Sequence, residues 1–300
     1  MKIDKIEGSV LGLALGDAFG APYEGGILER AVWSLLGTEN GMRRWTDDTQ
    51  MSIDVMESLI KYGSVNQNDL ASRFAASYRW SRGYGPAAAK ILKRIRGGES
   101  WKIANRSIYP NGSFGNGGAM RAPAVGLFFA QESEENIIKA AYETAIVTHA
   151  HPLGLEGAGL IALATALSLK GTGSIQLIER LLQHATLLEF THKLNQIQLW
   201  LQDASTVSSQ TVAVELGNGI TADASCVTAI YVALVFREAS FDELLEFIIK
   251  LGGDVDTIAA MAGAIWGAYR GFNALSEEKL AELEARVYLQ KLSKSLEETF

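Results

Sequence analysis

The stretch GGDVDTIAAMAGAIWGAY, at positions 252–269, sets the first expectation for the fold. Two glycines and two aspartates stand near its start, and the run that follows carries apolar residues at the spacing of an α-helix. A similar arrangement occurs earlier as WTDDT at positions 45–49, which precedes Met51, Val55 and Leu59. Each stretch therefore predicts a helix that begins at an acidic turn.

Apolar residues recur at helical spacing over most of the 300 residues, whereas the sustained alternation that predicts strands is hard to find. We therefore predict an all-α fold. The predicted helices run from Thr49 to Tyr62, Asp69 to Trp80, Pro86 to Arg96, Glu134 to Thr148, Leu155 to Leu169, Asp223 to Phe236, Thr257 to Tyr269 and Ser276 to Leu296.

The chain shows no internal repeat, no low-complexity tract and no linker rich in Pro or Ser, so a single domain over residues 1–300 is predicted. Its longest apolar stretches are shorter than a bilayer span, and its amino terminus lacks the order of a secretory signal. A lone cysteine, Cys226, suits a reducing compartment. These features predict a cytoplasmic protein without a membrane partner.

The formal net charge of −7 argues against a protein that holds nucleic acid by bulk electrostatics. A small anionic ligand is compatible with that charge, because backbone N–H groups and bound cations can hold an anion locally.

The two acidic helix starts predict a metal centre. Each start carries two aspartates and a threonine, although one cap residue would satisfy a helix. Four carboxylates brought together would raise one another's pKa values and destabilise the fold unless cations lay between them. All-oxygen ligands suit Mg²⁺ or Mn²⁺. Two ordinary helix caps are the alternative interpretation of the same residues.

A glycine-rich loop and a histidine pair provide candidate ligand-binding groups. The loop, GSFGNGG at 112–118, lacks the ending of a P-loop and does not follow a strand, but it offers backbone N–H groups to a diphosphate, and Phe114 could stack on a base. A flexible turn is its alternative. His149 and His151 lack the further ligands of a zinc site, so a hydrogen bond to phosphate or a structural role is predicted for them.

Five motifs in order resemble the ADP-ribosylglycohydrolase family, from near residue 8 to near residue 272. They are GLALGDAFGAPYE at 12–24, TDDT at 46–49, GNGGAMR at 115–121, THA at 148–150 and GDVDT at 253–257. One such motif is weak evidence, whereas five with plausible spacing are strong. The resemblance implies an orthogonal helical bundle with a binuclear metal site in a cleft.

The resemblance also implies roles for individual residues. The implied metal ligands are Thr46, Asp47, Asp48, Asp254, Asp256 and Thr257, with Asp256 shared between two Mg²⁺ or Mn²⁺ ions. The implied catalytic residues are Glu24, on a mobile loop of the family, together with Asp48 and Asp256. The implied substrate contacts are Asn111, Gly112, Ser113, Phe114, Gly115, Asn116 and Gly117 around the diphosphate and adenosine, His149 at a phosphate, and Ile220 on the adenosine side.

The implied function is hydrolysis at the anomeric carbon of the distal ribose, which releases ADP-ribose from an ADP-ribosylated protein or small molecule. Arg82-Gly83-Tyr84-Gly85 resembles the branch that acts on O-linked acceptors such as serine, and residues 70–98 contain no Asp or Glu to hold an arginine guanidinium. Three alternatives stay open here: an ADP-ribosyl-arginine hydrolase, a non-catalytic ADP-ribose-binding relative and a metal-dependent phosphohydrolase.

Overall fold

A computed structural model describes residues 2–203 and 207–299, and this part of the chain forms seventeen α-helices. In order they are α1 (Lys2–Gly20), α2 (Ile27–Leu36), α3 (Asp47–Tyr62), α4 (Gln67–Ser77), α5 (Pro86–Arg96), α6 (Trp101–Ala104), α7 (Ala122–Phe128), α8 (Glu134–Ala145), α9 (Pro152–Leu169), α10 (Ser174–His184), α11 (Leu188–Gln202), α12 (Ser209–Glu215), α13 (Ala222–Val235), α14 (Phe241–Leu251), α15 (Val255–Arg270), α16 (Glu277–Glu282) and α17 (Arg286–Glu297).

Short elements complete the described structure. The strands β1 (Thr38–Glu39) and β2 (Met42–Arg43) form one antiparallel pair, and 3₁₀ turns span Ala21–Tyr23, Trp80–Arg82, Asn116–Gly118 and Phe272–Ala274. The prediction of an all-α fold is thus confirmed. One cluster of buried apolar side chains runs through the bundle from Ile6 to Leu296, as a single-domain chain would require.

Helices α1 and α15 form the most intimate contact of the bundle, and glycines make it possible. A Cβ added at Gly12 would lie 2.3 Å from the carbonyl oxygen of Gly263, and one added at Gly20 would lie 2.8 Å from the Cα of Asp256. Only glycine permits so close an approach of two helix backbones. The contact brings the carboxyl end of α1 against the amino end of α15, where the acidic stretch begins.

Helix α9 lies in the core of the bundle. Among the described helices it alone is long and apolar enough to cross a membrane, but 83% of its residues are buried inside the fold. It packs against α7, α8, α13 and α15. Its composition is therefore that of a core helix, which is apolar on all sides because protein surrounds it.

Several predicted helices differ from those observed, and the one predicted from Glu134 to Thr148 ends at Ala145. The segment predicted as one helix from Ser276 to Leu296 is divided into α16 and α17, because Ala285 adopts a left-handed backbone conformation with φ of 54°. Tertiary contacts hold this break: the N–H of Glu284 donates to the carbonyl of Arg43, and the Glu284 carboxylate pairs with Arg82. The helix predicted from Asp69 to Trp80 ends at Ser77, before the 3₁₀ turn that carries Arg82.

Candidate active site

The start of α3 is built by hydrogen bonds from its own cap and from α1. The hydroxyl of Thr46 accepts the N–H of Asp48 at 3.3 Å, which is an ordinary N-cap. Asp17, fully buried on α1, accepts the backbone N–H groups of Thr46 and Thr49 and the Thr49 hydroxyl, the last at 2.6 Å. Asp17 therefore fixes the turn from which Asp47 and Asp48 project.

The start of α15 is built differently. Asp254 occupies the cap position, yet its side chain accepts no cap hydrogen bond. Its backbone N–H donates to the carbonyl of Asn218 at 2.8 Å, and its carboxylate accepts the side-chain N–H of Asn116. Two residues on, Asp256 accepts the N–H of Thr257 at 2.8 Å. Asp254 thus links the helix start to the glycine-rich loop rather than capping the helix.

The carboxylates of the two starts converge. One group comprises Asp17, Asp48 and Asp256, a second comprises Glu24, Asp254 and Asp256, and the ligand oxygens within each group lie within 4.8 Å of one another. Asp256 belongs to both groups. The two groups together, Asp17, Glu24, Asp48, Asp254 and Asp256, are called the acid cluster below.

The electrostatics of the acid cluster fit a bound divalent cation. Burial, and then repulsion from neighbouring carboxylates, raises the pKa values of Asp48 and Asp256 well above the usual range. The buried Oδ2 of Asp48 has no hydrogen-bond partner within the part of the chain that the structure describes. An unpartnered carboxylate oxygen in a buried acidic cluster is a site that a hard cation would stabilise, and its ligands would all be oxygens.

Four members of the acid cluster, Glu24, Asp48, Asp254 and Asp256, line a cleft of about 300 Å³. A volume of this size lies in the range of small-molecule sites. Of the substrate contacts expected from the sequence, those that line the cleft are Ser113, Gly115, Asn116, Gly117, His149 and Ile220, and Tyr109 joins them. The glycine-rich loop and the acid cluster therefore share one cavity.

Three expected substrate contacts do not line the cleft. Asn111 is exposed. Gly112 packs closely against the backbone of Ala150 and His151, so it shapes the loop. Phe114, which is 46% exposed, stands edge-to-face against His151 with ring centroids 5.7 Å apart, at the surface beside the cleft. These three residues lie outside the cleft lining, and their substrate contacts stay predictions.

The two histidines have different surroundings. His149 is buried in the cleft wall, its Nδ1 lies 2.8 Å from the Thr148 hydroxyl, and burial with the nearby charge of Arg121 lowers its pKa to about 3. His151 instead accepts the N–H of Leu153 and caps α9. His149 is thus a neutral ring in the cleft, and His151 has the structural role that was one of the two predicted for the pair.

Comparisons with known proteins agree with this site. A family model described as ADP-ribosylglycohydrolase matches residues 1–300. The chain belongs to the ADP-ribosylglycohydrolase family. ADP-ribosylhydrolase ARH3 of Homo sapiens is 34% identical over 345 residues, covering 99% of this chain and 94% of that protein. The protein of the same name from Danio rerio is 32% identical over 317 residues, covering 92% and 85%.

A solved structure described as an ADP-ribosylglycohydrolase-related protein complex shares the fold. Its TM-score is 0.74 at 24% identity, and the match covers 99% of this chain and 98% of that one. The resemblance drawn from the five motifs is therefore confirmed, and the chain is an ADP-ribosylglycohydrolase enzyme. The alternative of a non-catalytic relative is set aside.

Three of the predicted metal ligands of this ADP-ribosylglycohydrolase, Asp48, Asp254 and Asp256, belong to the acid cluster, which also contains Asp17 and Glu24. The Thr257 hydroxyl is 3.5 Å from an oxygen of Asp48 and so lies at the acid cluster. Asp47 lines the cleft outside both groups, and the Thr46 hydroxyl is engaged as a cap. Asp17 lies in the first motif and was not predicted as a site residue. A lone aspartate in an otherwise apolar helix segment indicates a buried polar role, and this pattern could have identified it.

The basic residues of 70–98 do not line the cleft of this ADP-ribosylglycohydrolase. Arg82 is buried, stacks on Trp45 at 3.8 Å and binds both carboxylate oxygens of Glu284 at 2.7 Å. Other arginines of this segment bind Asp69, Glu99 and the carbonyl of Ala75. Small uncharged residues form this wall instead: Gly83, Gly85, Pro86, Ala87 and Ala88.

Proposed function

We propose that this ADP-ribosylglycohydrolase uses two divalent cations, Mg²⁺ or Mn²⁺, to cleave the bond at the anomeric carbon of the distal ribose and release ADP-ribose from an O-linked acceptor. One observation carries the proposal: two groups of carboxylates share Asp256 at the floor of a cleft whose wall is the glycine-rich loop. A shared carboxylate between two such groups is the arrangement that a two-metal site requires.

The substrate's diphosphate is proposed to lie along the glycine-rich loop. Asn116 is held in place by its hydrogen bonds to Asp254 and Ser225, so the loop keeps a fixed position relative to the acid cluster. Loop N–H groups and His149 bind anionic oxygens without introducing a net charge. Ile220, which is 67% exposed at the cleft rim, packs on the adenosine side.

The acid cluster is proposed to hold the cations over the distal ribose. Asp17, Asp48 and Asp256 contribute oxygens to one position, and Glu24, Asp254 and Asp256 to the other. The Thr257 hydroxyl lies beside Asp48 and completes the oxygen donors there. When bound, the cations supply Lewis-acid chemistry at the ribose hydroxyls and the attacking water.

Glu24 is proposed to handle the proton. It follows the 3₁₀ turn Ala21–Tyr23, its N–H donates to the carbonyl of Ala21 at 3.3 Å, and its side chain lines the cleft beside Asp254 and Asp256. A carboxylate within hydrogen-bond reach of the leaving oxygen or of the attacking water can serve as general acid or base.

The acceptor is proposed to leave along the wall of small residues that follows Arg82. A guanidinium leaving group is recognised by a carboxylate that pairs with both of its N–H edges, and residues 83–88 of this wall contain no Asp or Glu. Asp47 also lines the cleft, and its Oδ1 would lie 3.6 Å from a Cβ added at Gly83. A serine oxygen or another O-linked acceptor needs no carboxylate partner, and the composition of residues 83–88 supports O-linked over arginine-linked substrates.

Matched peptides that carry ADP-ribose on serine or on arginine test this proposal. We expect faster cleavage of the serine peptide, with intact ADP-ribose as the product on chromatography. Faster cleavage of the arginine peptide would contradict the acceptor assignment. AMP or inorganic phosphate as the product would instead indicate a metal-dependent phosphohydrolase.

A carboxylate placed on the wall sharpens the test. Ala88 is the third residue of α5 and lines the cleft, and an aspartate is favourable in the first turn of a helix. We expect Ala88→Asp to raise the rate on the arginine peptide relative to the serine peptide. Ala88→Asn is the matched control of the same shape, and an equal gain with Asn would show that charge recognition is not the cause.

A further inference from the structure

Arg121 is a fully buried cation. Its side chain is 0% exposed, and the two aspartates that attract it electrostatically, Asp47 and Asp54, are not among its hydrogen-bond partners in the described chain. Its guanidinium donates to the carbonyl of Gly117, to the carbonyl of Thr144 at 3.2 Å and to the hydroxyl of Thr148 at 2.8 Å. Arginine has donors only, so each of these oxygens must act as an acceptor.

Thr148 is left with one hydrogen to donate. Its side chain is buried, and its hydroxyl oxygen already accepts from Arg121. Within residues 2–203 and 207–299, the polar atom that remains in reach of the hydroxyl is Nδ1 of His149, at 2.8 Å. A buried hydroxyl hydrogen without an acceptor is costly, so Thr148 donates to Nδ1. Nδ1 therefore carries no proton.

The proton of the neutral His149 ring is then on Nε2, which faces the glycine-rich loop. A Cβ added at Gly117 would lie 2.9 Å from Nε2, so only a glycine lets the ring stand this close to the loop. Nε2 of His149 thus presents an N–H to the cleft wall where the loop N–H groups are. An N–H at this place suits an anionic oxygen and not a donor.

We propose that Arg121 and Thr148 are positioning residues that hold His149 in its Nε2-protonated tautomer, so that the ring is a permanent hydrogen-bond donor to the diphosphate. The tautomer assignment stands on hydrogen bonds of the protein alone, whereas the diphosphate as acceptor rests on the proposed function. Through Gly117, Thr144 and Thr148, Arg121 also ties the glycine-rich loop to the end of α8 and to the His149 segment. The side chain of Arg121 therefore helps to fix both the position of the loop and the orientation of the His149 ring.

The tautomer is measured directly by nitrogen NMR of protein labelled with ¹⁵N-histidine, in which only four histidines contribute. We expect His149 to show a protonated Nε2 and an unprotonated Nδ1 without any ligand. In Thr148→Val, which keeps the shape of the side chain and removes the hydroxyl, we expect a mixture of tautomers. Thr148→Ser restores the hydroxyl and is expected to restore the single tautomer.

Thr144→Val is the matched control. Thr144 lies one turn earlier and donates its hydroxyl to Ala141, while its backbone carbonyl, which accepts from Arg121, is unaffected by the substitution. We expect this variant to keep the wild-type tautomer. A protonated Nδ1 in the wild type, or an unchanged tautomer in Thr148→Val, would overturn the proposal.

Calorimetric binding of ADP-ribose gives the functional readout. We expect Thr148→Val to weaken binding in proportion to the Nε2-protonated fraction that it loses, about twofold for an even mixture of tautomers, and Thr148→Ser to bind nearly as the wild type does. Unchanged affinity in Thr148→Val with a mixed tautomer would overturn the donor role of His149. A single Nε2-protonated tautomer in a wild type that binds no ADP-ribose would support the tautomer assignment and contradict the proposed function instead.

Discussion

The starts of α3 and α15 are similar in sequence and different in construction. Thr46 caps α3 in the ordinary way, and the carboxylate of Asp17 on α1 fixes the turn by accepting hydrogen bonds from three of its donors. At α15, Asp254 occupies the cap position but forms no cap hydrogen bond, and its carboxylate accepts a hydrogen bond from Asn116 of the glycine-rich loop. The α3 start is therefore anchored to the helical frame, whereas the α15 start is coupled to the substrate loop.

The two starts therefore attach the acid cluster to different parts of the fold: one to helix α1 and the other to the glycine-rich loop. An anchored start keeps its carboxylates in place whatever the cleft contains. The α15 start is hydrogen-bonded to the loop through Asn116 and Asp254, so a ligand that moved Asn116 would act directly on Asp254. We therefore expect substitutions at the two starts to have distinguishable effects on turnover, cation binding and stability.

The largest effect is expected at the residue that both carboxylate groups share. Asp256→Asn should lower kcat by about a thousandfold or more, because it weakens both cation positions at once. Asp47→Asn, which changes an acid of α3 outside both groups, should lower kcat much less. Steady-state rates measured beside circular dichroism spectra check this: a small loss in Asp256→Asn would mean that Asp256 is not the shared ligand, and equal large losses would mean that Asp47 also binds a cation, as the sequence resemblance implies.

Removal of cations should produce the next largest effect, on stability. With Mg²⁺ or Mn²⁺ several hundred times above the dissociation constant, we expect about 3 to 4 kcal/mol of stabilisation over chelator-treated protein. Asp48→Asn should shrink the difference, because it removes both the cation ligand and the repulsion within the cluster. Thermal melts with and without chelator measure it; coincident melting curves for the wild type would rule out a resident cation.

Glu24→Gln should lower kcat by about a hundredfold while ADP-ribose binding changes little, because general acid or base catalysis contributes on this scale. Glu24 belongs to the group on the α15 side, so cation affinity is measured in the same samples. A variant with normal kcat and lost affinity would show that Glu24 only contacts the ligand.

Asp54 is a buried aspartate of α3 that lies outside the acid cluster. It shows how burial alone, without a group of neighbouring metal-binding carboxylates, affects the pH dependence of stability. Burial raises its pKa to about 7, although the Ser77 hydroxyl binds it. Between about pH 4 and pH 7 the folded state keeps a proton that the unfolded state has released, so wild-type stability falls as the pH rises through that range. The proton is fully retained by both states only below that range.

Asp54→Asn removes this pH dependence. We expect it to stabilise the protein at about pH 8, relative to its effect at about pH 5, by on the order of 2 kcal/mol. Urea unfolding at the two pH values gives the difference, and added cation should not alter it. A cation-dependent difference would indicate that Asp54 belongs to the metal centre after all.

The smallest effect is expected at the link between the α15 start and the loop. Asn116→Ala should weaken ADP-ribose and cation binding by about tenfold each, because the buried carboxylate of Asp254 loses its amide donor. Ser225→Ala is the control, since it keeps the bond between Asn116 and Asp254. Independent titrations of the two ligands are needed, and a loss confined to one of them would show that the α15 start is not coupled to the loop.

The sequence predicted the elements of this protein well where the signal was local. Apolar spacing found eight helical segments, with α5 correct at both ends, but it did not delimit α1, α10, α11 or α14. The two acidic starts and the glycine-rich loop were predicted as parts of a site, and they share one cleft. Prediction from the sequence failed where a contact between distant segments decided the outcome. The bond of Glu284 to Arg82 joins residues that are 202 positions apart, and no local pattern announces that it divides the last predicted helix.

What the sequence by itself determined was the type of fold, the family and the kinds of residue in the cleft, because periodicity and short motifs depend on neighbours in the chain. Only the tertiary structure decided how those residues are used. The glycine contact between α1 and α15 brings Asp17 close to Asp256, and the hydrogen bonds from the α3 start to Asp17 add Asp48, so that ligand oxygens of the three lie within 4.8 Å of one another. Buried hydrogen bonds hold Arg82 at Glu284 and Arg121 at Thr148. Distances of this kind are set by packing between helices far apart in the chain, which a linear pattern does not encode.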